Sequence, residues 1–206
     1  VLFRSVTGTA AANQACAEAD VVLAVGTRLQ DFTTGSGALF KNPARLLIGL
    51  NTQVFDAGKH RAMPLVCDAR VGMSELSSAI GDWRAPASWT DDAKKRRGTW
   101  IETAARFTAP GNLERPSDAQ VIGAVQRALG RDVTVLGAAG GLPGELHKLW
   151  QAEAPGSYQL EYGFSCMGYE IAGGIGLKLA DPSREVVVML GDGSYLMANS
   201  ELVTAT

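Results

Sequence analysis

Apolar positions along this chain follow two alternating rhythms. Residues 21–25, Val-Val-Leu-Ala-Val, are apolar without a polar break, and residues 45–50 and 64–67 repeat the theme. A run apolar on both faces predicts a strand buried in a parallel sheet. Residues 9–19, Ala-rich with Thr7 or Thr9 as N-cap, and residues 71–80 read as helices between or after these strands. Residues 81–116 break the rhythm with Trp83, Pro86, Trp89, Pro110, Gly111 and Pro116, and only residues 89–106 within them predict a helix. The alternation then resumes. Ser117-Asp118-Ala119-Gln120 is a capping box before an apolar-periodic helix. Strands are predicted over 132–137, 159–162 and 185–190, with a helix running from the Gly-rich turn Ala138-Ala139-Gly140-Gly141 through Trp150 and another over 168–180, the latter rich in small residues. Alternating β and α implies parallel pairing with right-handed crossovers. The expected fold is therefore α/β, two doubly wound parallel-sheet domains, each cut short: residues 1–82, a linker with a helix over 83–116, and residues 117–206.

Composition sharpens this reading. The 24 glycines cluster after apolar runs, where strand-to-helix turns need them. With 19% charged residues and a net charge of -2, nothing argues for nucleic acid. The basic run Lys94-Lys95-Arg96-Arg97 follows Asp91-Asp92 and lacks a stacking platform, so it reads as a solvated helix face. No apolar run reaches the ~20 residues of a membrane helix. Val1-Leu2-Phe3-Arg4-Ser5 lacks the features of a signal peptide. The missing initiator Met and an end inside a helical pattern predict a piece of a longer protein. Cys16, Cys67 and Cys166 lie far apart and read as small buried hydrophobes in a reducing cytoplasm.

The chemistry concentrates where the last strand ends. Val186-Val187-Val188-Met189-Leu190 runs into Gly191-Asp192-Gly193-Ser194 and then a helix. Ligands bind α/β sheets at the carboxyl ends of the strands. The two glycines let backbone N–H groups approach a ligand, and the next helix turns its positive end to the same spot. A carboxylate repels a diphosphate, but it can hold one through a hard cation: Mg²⁺ accepts one or two carboxylates plus phosphate oxygens. The alternative on these four residues alone is an ordinary turn with Asp192 as helix cap.

This strand–GDGS–helix unit, with Ser165-Cys166-Met167-Gly168-Tyr169 upstream, resembles the thiamine-diphosphate enzyme superfamily of acetolactate synthase and pyruvate decarboxylase. Within it, Val135 to Gly144, Glu161 to Glu170 and Gly191 to Met197 are similar to the ring-opening hydrolases of inositol catabolism. Gly26-Thr27-Arg28 and Asp31-Phe32-Thr33-Thr34-Gly35 resemble the second half of the superfamily's central domain. The resemblance implies thiamine diphosphate and Mg²⁺ as cofactors, with Asp192 as metal ligand. Gly191, Gly193 and Ser194 would meet the diphosphate, as would Gly140, Gly141 and Leu142 from its other side. Met167 would support the bent form of the cofactor, where a flexible thioether packs well; core packing is its plain alternative. The family's second metal ligand, a later Asn, and its catalytic Glu, from a neighbouring subunit, fall outside this chain, so no catalytic residue is assigned.

The resemblance further implies a cytoplasmic homo-oligomer with active sites between subunits. It would hydrolyse a C–C bond to open a small cyclic polyol-dione, with no nucleic acid or membrane partner. A carboligase of the acetolactate-synthase kind is one alternative, although Ala138-Ala139-Gly140-Gly141-Leu142 stands where such enzymes carry polar residues. A non-catalytic Rossmann nucleotide module is another. It predicts a GxGxxG after the first strand and an acid on the second, and neither is present: Gly26-Thr27-Arg28 lacks the second glycine and the second strand ends in Asn51. In the central-domain half, Arg28 follows a strand where a nucleotide phosphate fits and Asn51 ends the next where a ribose contact fits; a purely structural domain is the alternative, and the one a hydrolase-like member favours. His60 and His147 read as exposed or capping and receive no role.

Overall fold

A computed structural model describes residues 8–111 and 114–206. Thr7 and the Val1–Ser5 start fall outside them. The chain divides into two compact units, Val1–Ile101 and Glu102–Thr206, each with its own three-stranded sheet.

In the first unit, α1 (Ala10–Glu18) begins at Thr9, whose hydroxyl accepts the Ala12 N–H. It leads into β1 (Val21–Val25), then α2 (Asp31–Thr34) and β2 (Leu46–Asn51). The short α3 (Val54–Ala57) precedes β3 (Met63–Val66), one residue ahead of the predicted run. The helix α4 (Ala69–Ile80) starts at Asp68, whose Oδ1 accepts the Arg70 and Val71 N–H groups. The sheet is parallel in the order β1-β2-β3. The expectation that residues 21–25 are buried on both faces does not hold: β1 is an edge strand among the described residues, and Val21 and Val25 are 54% and 37% exposed. One core cluster packs Val22, Ala24 and Leu47 with Cys16, Leu29 and Phe40.

The helix α5 (Ala87–Phe107) contains the boundary between the units. Its basic run is largely exposed as expected, with Lys94 3.4 Å from Asp91 and Arg96 paired to Glu18.

In the second unit, the predicted capping box forms at the start of α6 (Asp118–Leu129), with Ser117 and Gln120 bonding each other's backbone. Then come β4 (Thr134–Gly137), α7 (Gly141–Leu149), β5 (Tyr158–Leu160), α8 (Tyr169–Ala180), β6 (Val186–Val188) and α9 (Asp192–Ala198). The strands are parallel in the order β5-β4-β6. β4 is central and fully buried, and Ile122, Leu136 and Leu146 lie in its core. β6, expected to be long and buried, is three residues and half-buried, because it pairs on one side only among the described residues. The connection leaves β4 toward β5 and then returns past β4 to β6. With right-handed crossovers this puts α7 and α8 on opposite faces and opens a crevice between the C-terminal ends of β4 and β6.

Candidate functional site

Two glycine turns meet that crevice. Leu136 pairs with Val188, and the Met189 N–H donates to Leu136 O at 2.9 Å. The chain therefore leaves β4 through Ala138-Ala139-Gly140 and β6 through Gly191-Asp192-Gly193 on the same sheet edge. Gly140 has φ +108, a conformation open to glycine, and no side chain caps α7 behind it. The first-turn N–H groups of Gly141 and Leu142 are thereby left to an external acceptor.

At the second turn, α9 begins at Asp192 with Gly191 as N-cap, so Asp192 is not the cap of the plain turn reading. Its Oδ1 accepts the Gly193 N–H at 2.9 Å, and the side chain is exposed at the sheet edge. The expected helix is short, seven residues, so the turn's own N–H groups rather than a long helix dipole face a ligand. Ser194 is 2% exposed. A Cβ on Gly191 would meet nothing within 4 Å, whereas one on Gly193 would lie 2.9 Å from Met167 Cε. The structure thus brings Met167 onto the Asp192 turn. Met167 is 45% exposed, so the second unit by itself does not bury it in a core. Gly168, φ +91, carries the chain from Met167 into α8, where a Cβ would lie 3.3 Å from that of Met197.

These residues fit a Mg²⁺-bound diphosphate. Open space beside Gly191, an exposed carboxylate and two turns of backbone N–H groups share one edge of the sheet. Among the described residues no cluster of three His, Cys, Asp or Glu side chains could hold a metal by itself. Asp192 suits an ion whose remaining ligands are phosphate oxygens and water.

Two glutamates to which the sequence reading gave no role frame Met167. Glu161 accepts the Phe164 N–H at 2.9 Å and the Cys166 N–H at 2.8 Å. The Cys166 bond, then the Phe164 bond, holds its carboxyl below the usual carboxylate range. Glu170 is fully buried, and its Oε2 accepts the Gly168 N–H at 3.0 Å. The signal available in the sequence was the single acid of the apolar, small-residue helix 168–180. Cys166 is exposed and Cys67 half-buried, so only Cys16 meets the buried-hydrophobe expectation.

Of the two histidines, His60 is exposed as expected and His147 is not. His60 Nε2 lies 2.9 Å from Leu29 O. His147 is half-buried, stacked 6.2 Å from Tyr162, with Nδ1 3.4 Å from the Tyr158 hydroxyl. Burial lowers its pKa and pushes that of Tyr158 up. The folded state therefore favours neutral imidazole. Stability present above the ordinary value of 6.5 is lost as pH falls from there through the lower folded value. His147→Gln is expected to flatten this loss, measured as the urea midpoint on either side of that pH. An unchanged slope would exclude His147 as its source.

In the first unit, Asn51 donates from Nδ2 to Thr27 O at 3.2 Å and accepts the Gln53 N–H at 3.0 Å. It braces the turn after β1, which accounts for it without a ribose.

Comparison with known proteins agrees with this geometry. Residues 3–76 match the thiamine pyrophosphate enzyme central domain, and residues 138–206 match the thiamine pyrophosphate enzyme C-terminal TPP binding domain. The chain is 40% identical to a 3D-(3,5/4)-trihydroxycyclohexane-1,2-dione hydrolase of Clostridium perfringens strain 13, over 97% of this chain and 35% of that protein. It is 38% identical to the enzyme of the same name from Bacillus anthracis, with the same coverage. The chain thus spans about a third of the length of these relatives. No helix among the described residues is long and apolar enough to cross a membrane. Both turns of the crevice lie in or open the matched cofactor-binding segment, and the chain belongs to the thiamine pyrophosphate enzymes.

Proposed function

We propose that the full-length protein is a thiamine-diphosphate- and Mg²⁺-dependent hydrolase that cleaves a C–C bond to open a trihydroxycyclohexane-1,2-dione ring in inositol catabolism. The observation that carries it is the paired glycine turns at the β4/β6 crevice with Asp192 and Met167 on one of them, in a chain whose relatives bear that activity's name. When bound, the cofactor supplies the carbon nucleophile that weakens a C–C bond beside a ketone. The residues of this chain bind and orient it. Asp192 would hold Mg²⁺ against the diphosphate. Gly193 and Ser194 at the Gly191 turn would meet the phosphate oxygens from one side, and Gly140, Gly141 and Leu142 from the other. Met167, beside Gly193, would carry the cofactor's rings on its thioether. The same reading makes the enzyme a cytoplasmic homo-oligomer with the site completed by a neighbouring subunit.

Calorimetric titration of thiamine diphosphate into the full-length protein, with and without Mg²⁺, tests the cofactor assignment. Tight binding only with Mg²⁺ is the expected result. Ring opening of the cyclic dione, with acetolactate formation from pyruvate as the comparison, then tests the substrate class. Absence of Mg²⁺-dependent binding in the folded protein would overturn the reading. Met167→Ala is expected to lower kcat while cofactor affinity holds, because the metal and diphosphate contacts lie elsewhere. Wild-type turnover would return Met167 to a packing role.

A further inference from the structure

The least expected group in the second unit is Glu170. It is fully buried in the first turn of α8, next to buried Ile171, and its Oε1 is buried with no hydrogen-bond partner among the described residues. A carboxylate in a core with half its acceptors unmet costs folding stability, so packing does not account for it. Its one bond goes to the Gly168 N–H, immediately after Met167. On the other side of Met167, Glu161 spends one oxygen on Phe164 N–H and the other on Cys166 N–H. Between those donors Ser165 sits at φ +56, a region that residues other than glycine seldom adopt. Three N–H groups flanking Met167 thus end on two carboxylates, and Met167 Cε ends beside Gly193.

We propose that Glu161 and Glu170 are positioning residues that clamp the backbone on both sides of Met167, holding its thioether against the Asp192 turn where the cofactor's rings would rest. This rests on the functional reading above. It assigns the two glutamates no contact with cofactor or substrate: they act through Met167.

The test is a set of double-mutant cycles in the full-length enzyme. Glu161→Gln keeps one acceptor where two are needed, and Glu170→Leu removes the Gly168 bond. Each is expected to lower kcat about tenfold, the scale of one lost hydrogen bond. The dissociation constant of thiamine diphosphate with Mg²⁺ should stay within about twofold of wild type, since Asp192 and the glycine turns are untouched. Glu170→Gln, whose amide oxygen still accepts the Gly168 N–H, should restore turnover. In a Met167→Ala background neither glutamate change should cost anything further. Additive losses in that background, unaltered kcat in the single variants, or cofactor affinity falling in step with kcat would each overturn the clamp. If Glu170→Leu does not fold, the cycle between Glu161 and Met167 decides alone. Wild-type enzyme that fails to bind the cofactor would overturn the functional reading itself, an outcome distinct from binding with additive losses.

Discussion

Asp192→Ala in the full-length enzyme is expected to abolish Mg²⁺-dependent retention of thiamine diphosphate. Asp192 is the carboxylate presented at the crevice by the turn after β6, and no three-residue metal cluster among the described residues could replace it. Removing an outer-shell partner of a metal ligand commonly costs about 10–100-fold in affinity, and loss of the ligand itself should exceed that. The fold should not suffer. Asp192 is exposed, and its one hydrogen bond closes onto the adjacent Gly193 N–H. Surface changes of that kind usually stay within about 0.5 kcal/mol of the original stability. Titration calorimetry and a thermal melt of the cofactor-free protein separate the two effects, because bound cofactor by itself raises the melting temperature. Unchanged cofactor affinity would remove Asp192 from the metal site. Loss of both affinity and melting temperature would mean that the turn is structural.

The second large effect is expected in the first unit. Gly49, in the central strand β2, lies under α3: a Cβ there would sit 2.1 Å from Ala57 O and 2.9 Å from Ala57 C. The obstacle is backbone, so no side-chain rotation relieves it, and α3 must move off the sheet. Gly49→Ala is expected to lower stability by about 3 kcal/mol, the upper end of common overpacking costs. The measurement is the urea midpoint of the full-length protein, followed by a probe in the first unit. A midpoint equal to wild type would mean that α3 does not pack on β2 as closely as described.

What could be read along the chain was the order and type of its elements. The runs at 21–25 and 45–50, the Thr9 and Ser117 caps, and the helix around the Lys94–Arg97 run each announce themselves within a few residues, because capping and periodicity are local properties. The Gly191-Asp192-Gly193-Ser194 turn was legible for the same reason: its chemistry is held in four neighbours. Tertiary structure alone decided burial and company. Residues 21–25 and 186–188 look alike in sequence to the buried strand 134–137, yet among the described residues β4 alone of these three has a partner on both sides, and that separates a core strand from an edge. Met167 could equally have been core. Its place beside Gly193, far along the chain, follows from how α8 meets α9, a contact that no local pattern encodes. Glu161 and Glu170 were visible as letters but not as a pair. Their bonds go to backbone N–H groups, which every residue carries, so only the fold of the loop between them selects which three N–H groups the two carboxylates receive.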